Sequence, residues 1–586
     1  MREEIPEDPE LRRSWNELAL RMERPEVFYT YEWAVAVQRA YGSSSKPFLI
    51  LAYEDDLLVG VIALAWQNTE PRGVAFLTGT TADYCDFLSE PGRRQEFVDA
   101  VFAELTNRSI RKVVLANVPT DSYTVAAISA AASIRQYHLH SRQGYLCARV
   151  LLGCPEERSA LKQATSGKKK LRRYLRDLEK KGKVCFRHDA QWDDVEPILQ
   201  SFNRAHVARF LMTGRISNLT RPERRTFLYE LARELCGAGA LTVSRLLVDE
   251  TSAAWNYGFQ FAGSWFWYQP TVNSSFEDLS PGYCLLAKIV ESACDRPDID
   301  VVDLGLGAED YKYRFATVER QTLYVVLNKS FSGHARAVVR DKAGEVAKAS
   351  PKIESFLRGV ISYFAKLKLR RREPGFVGML RSASRRISRS LYAFDEVLFF
   401  SRTARASNSA ESRGLTLRKF DSDLLGLAAM TYVDDADTLG YLLRCAPRLR
   451  SEGDRGFVLL SVEGVPVHFC WAVDFEGCKI PELERTLQAP CADSVIIFDC
   501  FTPPSVRGGG LFACTIAALA DQLNYEGKVP WIFGAASNQA ALQGIKKSGF
   551  AYKFTLGRKK FFFHQEMKDS ISSPDPANIA SSVSAQ

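Results

Sequence analysis

The 586-residue sequence has no run of about 18 apolar residues that is free of charge, so we expect no transmembrane helix. The first eight residues are acidic and contain no apolar stretch, so we expect no signal peptide. The 13 cysteines form no Cys-x-x-Cys pair and the seven histidines are dispersed, so we expect no metal site. Most cysteines lie in apolar surroundings, as reduced core thiols do. The sequence therefore predicts a cytoplasmic protein.

The net charge of +8 is concentrated in one segment of an otherwise nearly neutral chain. Residues 352–402 contain twelve Lys or Arg and four Asp or Glu. Within this segment, Ile353–Arg372 has one apolar and one basic face. Such a helix either lies on an anionic membrane surface or packs between domains. The first alternative predicts peripheral membrane contact through residues 353–390.

The chain has the length of about three to four domains. Amphipathic helices alternate with short β-branched strands along most of it, which predicts an α/β fold. The end of the chain is rich in Ser, Pro, Ala and Asn, which predicts disorder. We therefore divide the sequence into residues 1–152, residues 153–332, a basic helical connector at 333–414, a further domain at 415–566 and a disordered tail at 567–586.

Three successive glycines follow a predicted strand near the C-terminus. The strand contains Val495–Ile497, the glycines are Gly508, Gly509 and Gly510, and a predicted helix begins at Leu511. Glycines let backbone N–H groups converge without interference from Cβ atoms, and a helix N-terminus adds partial positive charge. The sequence therefore predicts a cradle for a phosphate or diphosphate.

This loop and a later segment resemble the Gcn5-related N-acetyltransferase (GNAT) superfamily. The family's diphosphate loop, Gln/Arg-x-x-Gly-x-Gly/Ala, corresponds to Arg507, Gly510 and Phe512, and its later Asn…Gly-Phe segment to Asn538 and Gly549-Phe550. The resemblance implies a fold of mixed, mostly antiparallel sheets flanked by helices, and acetyl-CoA or another acyl-CoA as cofactor. The implied cofactor contacts are Arg507, Gly508, Gly509, Gly510, Leu511, Phe512 and Asn538.

The C-terminal segment departs from the family pattern in two places. Phe512 replaces a small residue, which would shift the helix away from the phosphates. Ile545 stands where many members carry a tyrosine that protonates the leaving thiolate. Asp499, near the end of the strand before the glycines, is our candidate catalytic base. The alternatives are that Asp499 points outward or pairs with a cation, and that this domain no longer turns over.

A second predicted helix opens at Ser280–Gly282, whose serine suits the N-cap and whose proline suits the first turn. Its single glycine makes a poorer phosphate cradle, so cations such as Lys312 and Arg314, beside Tyr311, would have to compensate. The alternative is an ordinary helix end with cations near its C-terminus. We take Tyr311 and Lys312 as candidate catalytic residues, and Ser280, Gly282 and Arg314 as candidate contacts of the donor.

Lys168–Lys183 contains nine Lys or Arg and two acids. This pattern is typical of a solvated helix face, or of a surface for an anionic ligand such as the phosphates of CoA, a nucleotide-sugar or tRNA.

Residues 25–330 resemble the CelD/BcsL family of GNAT-like proteins. The arrangement is also similar to the FemA/FemB/FemX ligases, which pair two GNAT-like lobes and use aminoacyl-tRNA. The segments that carry the resemblance are Phe28–Trp33, Asp83–Asp86, Lys170–Gly182, Ser280–Gly282, Asp303–Gly307 and Tyr311–Phe315.

Together the resemblances imply three GNAT-like units and an acyl-CoA-dependent N-acyltransferase of bacterial envelope or exopolysaccharide precursor metabolism. The implied acceptor is a small molecule or a lipid-linked sugar. Two alternatives stay open, an aminoacyl-tRNA-dependent ligase and a non-catalytic assembly factor of a polysaccharide machine.

Overall fold

The computed structural model describes residues 2–67, 72–349, 392–403, 413–451, 453–480, 483, 485–561 and 564–571. The chain forms two compact units, Met1–Arg209 with Asn218–Arg358 and Phe210–Ser217 with Gly359–Gln586. The predicted helix Ile353–Arg372 and the membrane contact through 353–390 lie outside the described residues.

The first unit begins with helices and strands that alternate along the chain. Its helices are α1 (Pro9–Leu20), α2 (Tyr31–Tyr41), α3 (Arg94–Asn107), α4 (Thr124–Ile134), α5 (Pro155–Ser166), α6 (Lys169–Glu179), α7 (Trp192–Met212), α8 (Pro222–Gly237), α9 (Pro281–Cys294) and α10 (Phe331–Ala349). Its strands are β1 (Pro47–Glu54), β2 (Leu57–Trp66), β3 (Gly73–Phe76), β4 (Leu88–Ser89), β5 (Lys112–Pro119), β6 (His138–Leu151), β7 (Val184–Asp189), β8 (Leu241–Val248), β9 (Thr251–Phe261), β10 (Ser264–Val272), β11 (Val301–Leu306) and β12 (Val318–Asn328).

One twelve-stranded sheet runs through this unit in the order β1-β2-β3-β5-β12-β6-β11-β10-β9-β8-β7, with β4 beside β2. Strands β3 and β5 are parallel, as are β10 and β11, and the other neighbouring pairs are antiparallel. We call residues 1–152 the N-terminal lobe and residues 153–332 the second lobe. Each parallel pair is connected through a helix, α3 in the N-terminal lobe and α9 in the second lobe. Strand β6 pairs with both β12 and β11, so the two lobes share a continuous sheet.

The basic stretch after residue 155 forms two helices because Gly167 ends α5 and Lys168 is extended. On α6, Leu171 and Leu178 are buried while most of the Lys and Arg side chains are exposed. Leucines seven residues apart share one face of a helix, which explains how so basic a segment packs against the core.

The second unit has an eight-stranded sheet in the order β14-β15-β16-β19-β20-β13-β21-β22 and a small pair β17-β18. Only β19 and β20 are parallel within the described sheet. Its helices are α11 (Ser422–Thr431), α12 (Ala436–Cys445), α13 (Leu511–Tyr525) and α14 (Gln539–Lys547). Its strands are β13 (Tyr392–Ser401), β14 (Thr416–Lys419), β15 (Arg455–Leu460), β16 (Pro466–Asp474), β17 (Lys479–Ile480), β18 (Arg485–Thr486), β19 (Ser494–Phe501), β20 (Val529–Ala535), β21 (Ala551–Phe561) and β22 (His564–Ile571).

Mixed sheets flanked by helices confirm the predicted α/β fold class. Two strands lie in segments for which no strand is predicted from the sequence. Strand β13 falls within the predicted helical connector at 333–414, and β22 extends into the predicted disordered tail that begins at residue 567. Strand β13 pairs on both sides, so its apolar residues form a continuous run and do not alternate with polar ones. Within the described ranges, no helix combines the length and the apolar character needed to cross a membrane.

Candidate functional site

In the second unit, two parallel strands diverge beside the predicted phosphate loop. Strands β19 and β20 pair from Ser494↔Val529 to Ile497↔Ile532, and no further pairs follow along β19. The chain between them passes through the glycine loop into α13, which begins at Leu511 as predicted. The diverging strands and the helix N-terminus therefore frame one cleft, the second-unit fork.

The glycine loop presents unobstructed backbone. Gly508 and Gly510 have φ of +90° and +71°, in the region that favours glycine. A Cβ atom at Gly508 would meet nothing within 4 Å, and one at Gly509 would meet only Leu511 Cγ, at 3.8 Å. Arg413 Nη1 donates to the Gly509 carbonyl at 3.0 Å. The loop is thus held in place while its glycines remain approachable, which suits a diphosphate.

Phe512 packs into the protein. A Cβ atom at Gly544 on α14 would lie 2.5 Å from Phe512 Cδ1, so only glycine leaves room for this ring. The centroids of the Phe512 and His468 rings are 5.8 Å apart. The ring of Phe512 is therefore accommodated by the absence of a side chain at Gly544.

Two residues of the later segment have local structural roles. The Asn538 side chain caps α14 by accepting a hydrogen bond from the Ala541 N–H at 3.1 Å. Ile545 is 1% exposed and belongs to the core of the unit. At position 545 this chain therefore has an apolar packing residue without an ionisable group.

Strand β19 bulges at Asp499. Its pairing with β16 shifts between Trp471↔Phe498 and Phe469↔Phe501, and Asp499 has φ +46°. The Asp499 carboxylate forms an ion pair with Arg448. The structure thus agrees with the alternative that Asp499 pairs with a cation.

The neighbours of Asp499 keep their protons. Tyr441 donates a hydrogen bond to the Asp499 carbonyl at 3.2 Å, and burial raises the pKa of Tyr441 well above its ordinary value. Burial likewise raises the pKa of the Cys500 thiol, which makes it unreactive. Tyr441 therefore serves as a fixed donor that holds the bulge.

The first unit has an equivalent fork between β10 and β11. These strands pair from Ser264↔Val301 to Phe266↔Asp303 and then separate. The helix between them, α9, begins at Pro281 after Ser280, whose φ is +52°. A Cβ atom at Gly282 would lie 3.1 Å from Val272 Cγ1, and the Ser280 hydroxyl bonds with Tyr174. This helix start is more crowded than the glycine loop.

A carboxylate from the N-terminal lobe lies at the first-unit fork. Asp83 is 8% exposed and accepts a hydrogen bond from the Leu306 N–H. Gly305 has φ +68°, and a Cβ atom there would lie 2.7 Å from Asp83 Oδ2 and 3.2 Å from the Trp267 carbonyl. Burial, and then the charge of Asp303, raise the pKa of Asp83 to about 7.

A second buried carboxylate, Asp303, holds the fork together. Tyr84 donates to Asp303 Oδ2 at 2.9 Å, and the Gly305 N–H donates to Oδ1 at 2.9 Å. Arg149 Nε lies 3.1 Å from the same carboxylate. Because Tyr84 comes from the N-terminal lobe and Asp303 from β11, these contacts join the two lobes.

The cations predicted to bind an anionic donor here are differently placed. Lys312 is 4% exposed, and its ammonium donates to the Leu306 carbonyl at 2.7 Å and pairs with Glu309 at 2.8 Å. The Tyr311 hydroxyl accepts from Trp267 Nε1 at 3.1 Å. Arg314 is exposed, with its guanidinium 5.8 Å from the Tyr283 ring centroid. Lys312 and Tyr311 are thus engaged within the protein, and Arg314 faces solvent.

A polar cluster that was not predicted from the sequence lies beside this fork. Arg224 Nη2 donates to the Tyr268 hydroxyl at 2.9 Å and lies 3.4 Å from Gln269 Oε1. Gln269 Nε2 lies 2.8 Å from His206 Nε2. These residues come from α8, β10 and α7, so no local sequence signal connects them.

Residues 165–313 match the model of the acetyltransferase (GNAT) domain family. Among solved structures, FemX is similar at 8% identity, with 54% of this chain and 95% of FemX covered and a TM-score of 0.40. A tandem GNAT protein from the clavulanic acid biosynthesis pathway is similar at 12% identity, with 54% of this chain and 95% of that chain covered and a TM-score of 0.30.

L-PGS from Bacillus licheniformis is similar at 9% identity, with 53% of this chain and 94% of that chain covered and a TM-score of 0.34. A comparison with curated proteins finds no match. Within the first unit, residues 165–313 are therefore similar to GNAT-type acetyltransferase domains.

Proposed function

We propose that the chain is an N-acyltransferase that binds acyl-CoA, acetyl-CoA or a longer homologue, at the glycine loop of the second unit. The observation that carries this proposal is the open backbone of Gly508–Gly510 at the start of α13. The positive φ values and the free space around Gly508 suit an approaching diphosphate, because any side chain there would fill that space.

Bound acyl-CoA would supply an activated thioester, so that transfer would form a C–N bond, break a C–S bond and release CoA as a thiolate that takes a proton from water. The loop and the N-terminus of α13 hold the phosphates, and the bulge at Asp499 fixes the backbone beside the fork. Asp499 is paired with Arg448, and the raised pKa of the partly buried Cys500 keeps its thiol protonated. We therefore propose that the acceptor amine reacts in its neutral form and releases its proton to water.

A single substitution tests the cofactor site. Gly509→Asp places a carboxylate where we expect the phosphates and should weaken CoA binding by about 1–3 kcal/mol through repulsion and lost hydrogen bonds. Isothermal titration calorimetry on the full-length protein measures the change. The matched control is Gly453→Asp, because a Cβ atom at Gly453 meets nothing within 4 Å and one at Gly509 makes only an ordinary contact at 3.8 Å. Equal CoA affinity in the two variants would rule out the glycine loop.

The pathway is proposed from the resemblance to the CelD/BcsL family. It comprises a small-molecule or lipid-linked sugar acceptor in bacterial envelope or exopolysaccharide metabolism. A panel of amino sugars and lipid-linked amino sugars, assayed with acetyl-CoA and longer acyl-CoAs, tests it through the release of free CoA thiol. If none of these acceptors caused release of the CoA thiol, the proposed pathway would be contradicted.

One observation favours a second candidate, an aminoacyl-tRNA-dependent ligase. The exposed face of α6 carries Lys169, Lys170, Arg172, Arg173 and Arg176, and α6 packs on α9 near the first-unit fork. Such a basic surface suits a polyanion. Purification of the full-length protein without nuclease distinguishes the two candidates, because co-purifying tRNA supports the ligase and thermal stabilisation by CoA supports the acyltransferase. If tRNA does not co-purify and CoA does not stabilise the protein, the non-catalytic assembly factor is supported.

A further inference from the structure

Four arginine side chains in the described part of the first unit are buried: Arg94, Arg149, Arg224 and Arg320. Three of them lie within ion-pair distance of a carboxylate, and their acids are Glu23 and Asp86 for Arg94, Asp303 for Arg149, and Glu26 and Asp121 for Arg320. Arg224, at 8% exposure, has no ion pair with any described Asp or Glu. It is the exception among these four.

The partners of Arg224 are neutral. Its guanidinium donates to the Tyr268 hydroxyl at 2.9 Å and to Gln269 Oε1 at 3.4 Å, and the Tyr41 hydroxyl is a further neutral neighbour. Its Nε is buried and has no hydrogen-bond partner. Asp83 acts on Arg224 only from beyond ion-pair distance. Burying a cation without a paired anion is costly, so the site is electrostatically incomplete.

The position of Arg224 on its helix adds to this imbalance. Arg224 is the third residue of α8, which begins at Pro222. The N-terminal turn of a helix carries partial positive charge, which disfavours a cation and favours an anion. The first turn of α8 thus does not compensate the charge of Arg224.

The surroundings offer further neutral hydrogen-bonding groups. Tyr268 and Gln269 follow the point where the pairing of β10 with β9 becomes irregular, at the first-unit fork. His206 adjoins Gln269 and is 2% exposed, and burial lowers the pKa of His206 to about 3, so it is neutral. Arg209 also acts on His206 from nearby, so the cluster is positively charged, and the guanidinium fork of Arg224 fits the two oxygens of a carboxylate.

We propose that Arg224 binds the carboxylate of a small-molecule or peptide ligand beside the first-unit fork, with the second N–H of the Gln269 amide as a further donor. This site is separate in sequence from the glycine loop and does not depend on the proposed CoA binding.

The test uses the full-length protein without CoA. Thermal unfolding is measured in increasing acetate, phosphate and chloride at constant ionic strength. Acetate should raise the Tm of the wild type in a saturable way, and Arg224→Gln should weaken the apparent affinity for acetate by about tenfold or more. In chloride, the Tm of Arg224→Gln should equal or exceed that of the wild type, because an uncompensated buried cation has been removed.

Two further variants make the result specific. Arg221→Gln removes an exposed cation at the start of the same helix and should leave the acetate response unchanged. Arg224→Lys keeps the charge without the planar fork and should bind acetate with intermediate affinity. This variant maintains the test if Arg224→Gln does not fold.

Three outcomes would overturn the proposal. They are no saturable response of the wild type to acetate, an equal response in Arg224→Gln, and a response to phosphate without one to acetate. CoA affinity, measured separately by calorimetry, reports on the glycine loop alone, so the two proposals can fail independently.

Discussion

The forks of the two units share one topology, a parallel strand pair connected through a helix, yet they are filled differently. At the second-unit fork the helix begins after Gly508–Gly510, where added Cβ atoms would meet little or nothing. At the first-unit fork the helix begins after Ser280, and the carboxylates of Asp83 and Asp303 lie between the separating strands. One fork presents backbone, and the other presents buried side-chain charge.

This difference shows that the strand fork alone does not define a ligand. Backbone N–H groups at an open helix N-terminus recognise phosphate whatever the neighbouring residues. In the first unit, a lobe that shares the same sheet contributes Asp83 and Tyr84 to its partner lobe. Pairing two lobes therefore makes side chains available at the fork that a single lobe could not supply.

The largest effect is expected from removing the central carboxylate of the first-unit fork. Asp303→Ala leaves the charge of Arg149 and the hydroxyl of Tyr84 without their partner, and should lower the free energy of unfolding by about 3–5 kcal/mol. Asp300→Ala is the control, since its side chain is 80% exposed and pairs with Arg158 at the surface. Its expected cost is about 1 kcal/mol or less.

Urea unfolding followed by tryptophan fluorescence measures both variants. If Asp303→Ala cost no more than Asp300→Ala, buried charge would not hold the first-unit fork, and the contrast between the forks would fail.

A second effect depends on pH. The pKa of Asp83 is raised to about 7, so the folded protein keeps this proton at pH values where the unfolded chain, with a pKa of about 3.9, has lost it. The stabilising contribution is complete below about pH 4 and is lost as the pH rises to about 7. Asp83→Asn cannot ionise and should gain stability relative to the wild type over this range, by at most about 4 kcal/mol.

Unfolding free energies of the wild type and Asp83→Asn at pH 4, 6 and 8 test this expectation. A constant difference between the two proteins would mean that folding does not change the pKa of Asp83, and that Asp83 is negatively charged in the first-unit fork above about pH 5.

The smallest effect is expected at the bulge of the second-unit fork. Asp499 and Arg448 are about one-third exposed, so Asp499→Asn should change stability by less than about 1 kcal/mol. Asparagine also tolerates the positive φ of this position. Because Asp499 is paired with a cation, acetyl-CoA turnover should stay within about twofold, whereas loss of a general base costs about 10²–10⁴-fold. Release of the CoA thiol measures the rate.

Local patterns were sufficient to predict the fold class and the start of α13. A strand, three glycines and a helix follow one another between Ser494 and Tyr525, so their geometry follows from backbone chemistry alone. The pairing of Asp499 with Arg448, 51 residues away, could be named only as an alternative, because it depends on how α12 packs near the bulge.

The first-unit fork was less accessible to sequence reasoning. Asp83 and Asp303 are 220 residues apart, and only the shared sheet places them at one fork. Lys312 looks like a ligand-binding cation in the sequence, but the turn from Leu306 directs its ammonium to a backbone carbonyl. Arg224 is informative only because the other buried arginines in the described part of the first unit have acids, a contrast that requires three-dimensional contacts.

Strand β13 affects the order in which the second unit assembles. It leaves the ribosome early, yet its partner β21 lies about 160 residues later, as the pair Val397↔Leu556 shows. At about 5–20 residues per second, Val397–Phe400 would wait on the order of 10 s before its second neighbour is synthesised. During that time an apolar strand has unpaired edges, which favours capture by chaperones or aggregation. A fragment that begins at residue 415 would lack this strand permanently and expose β20 and β21 in its place.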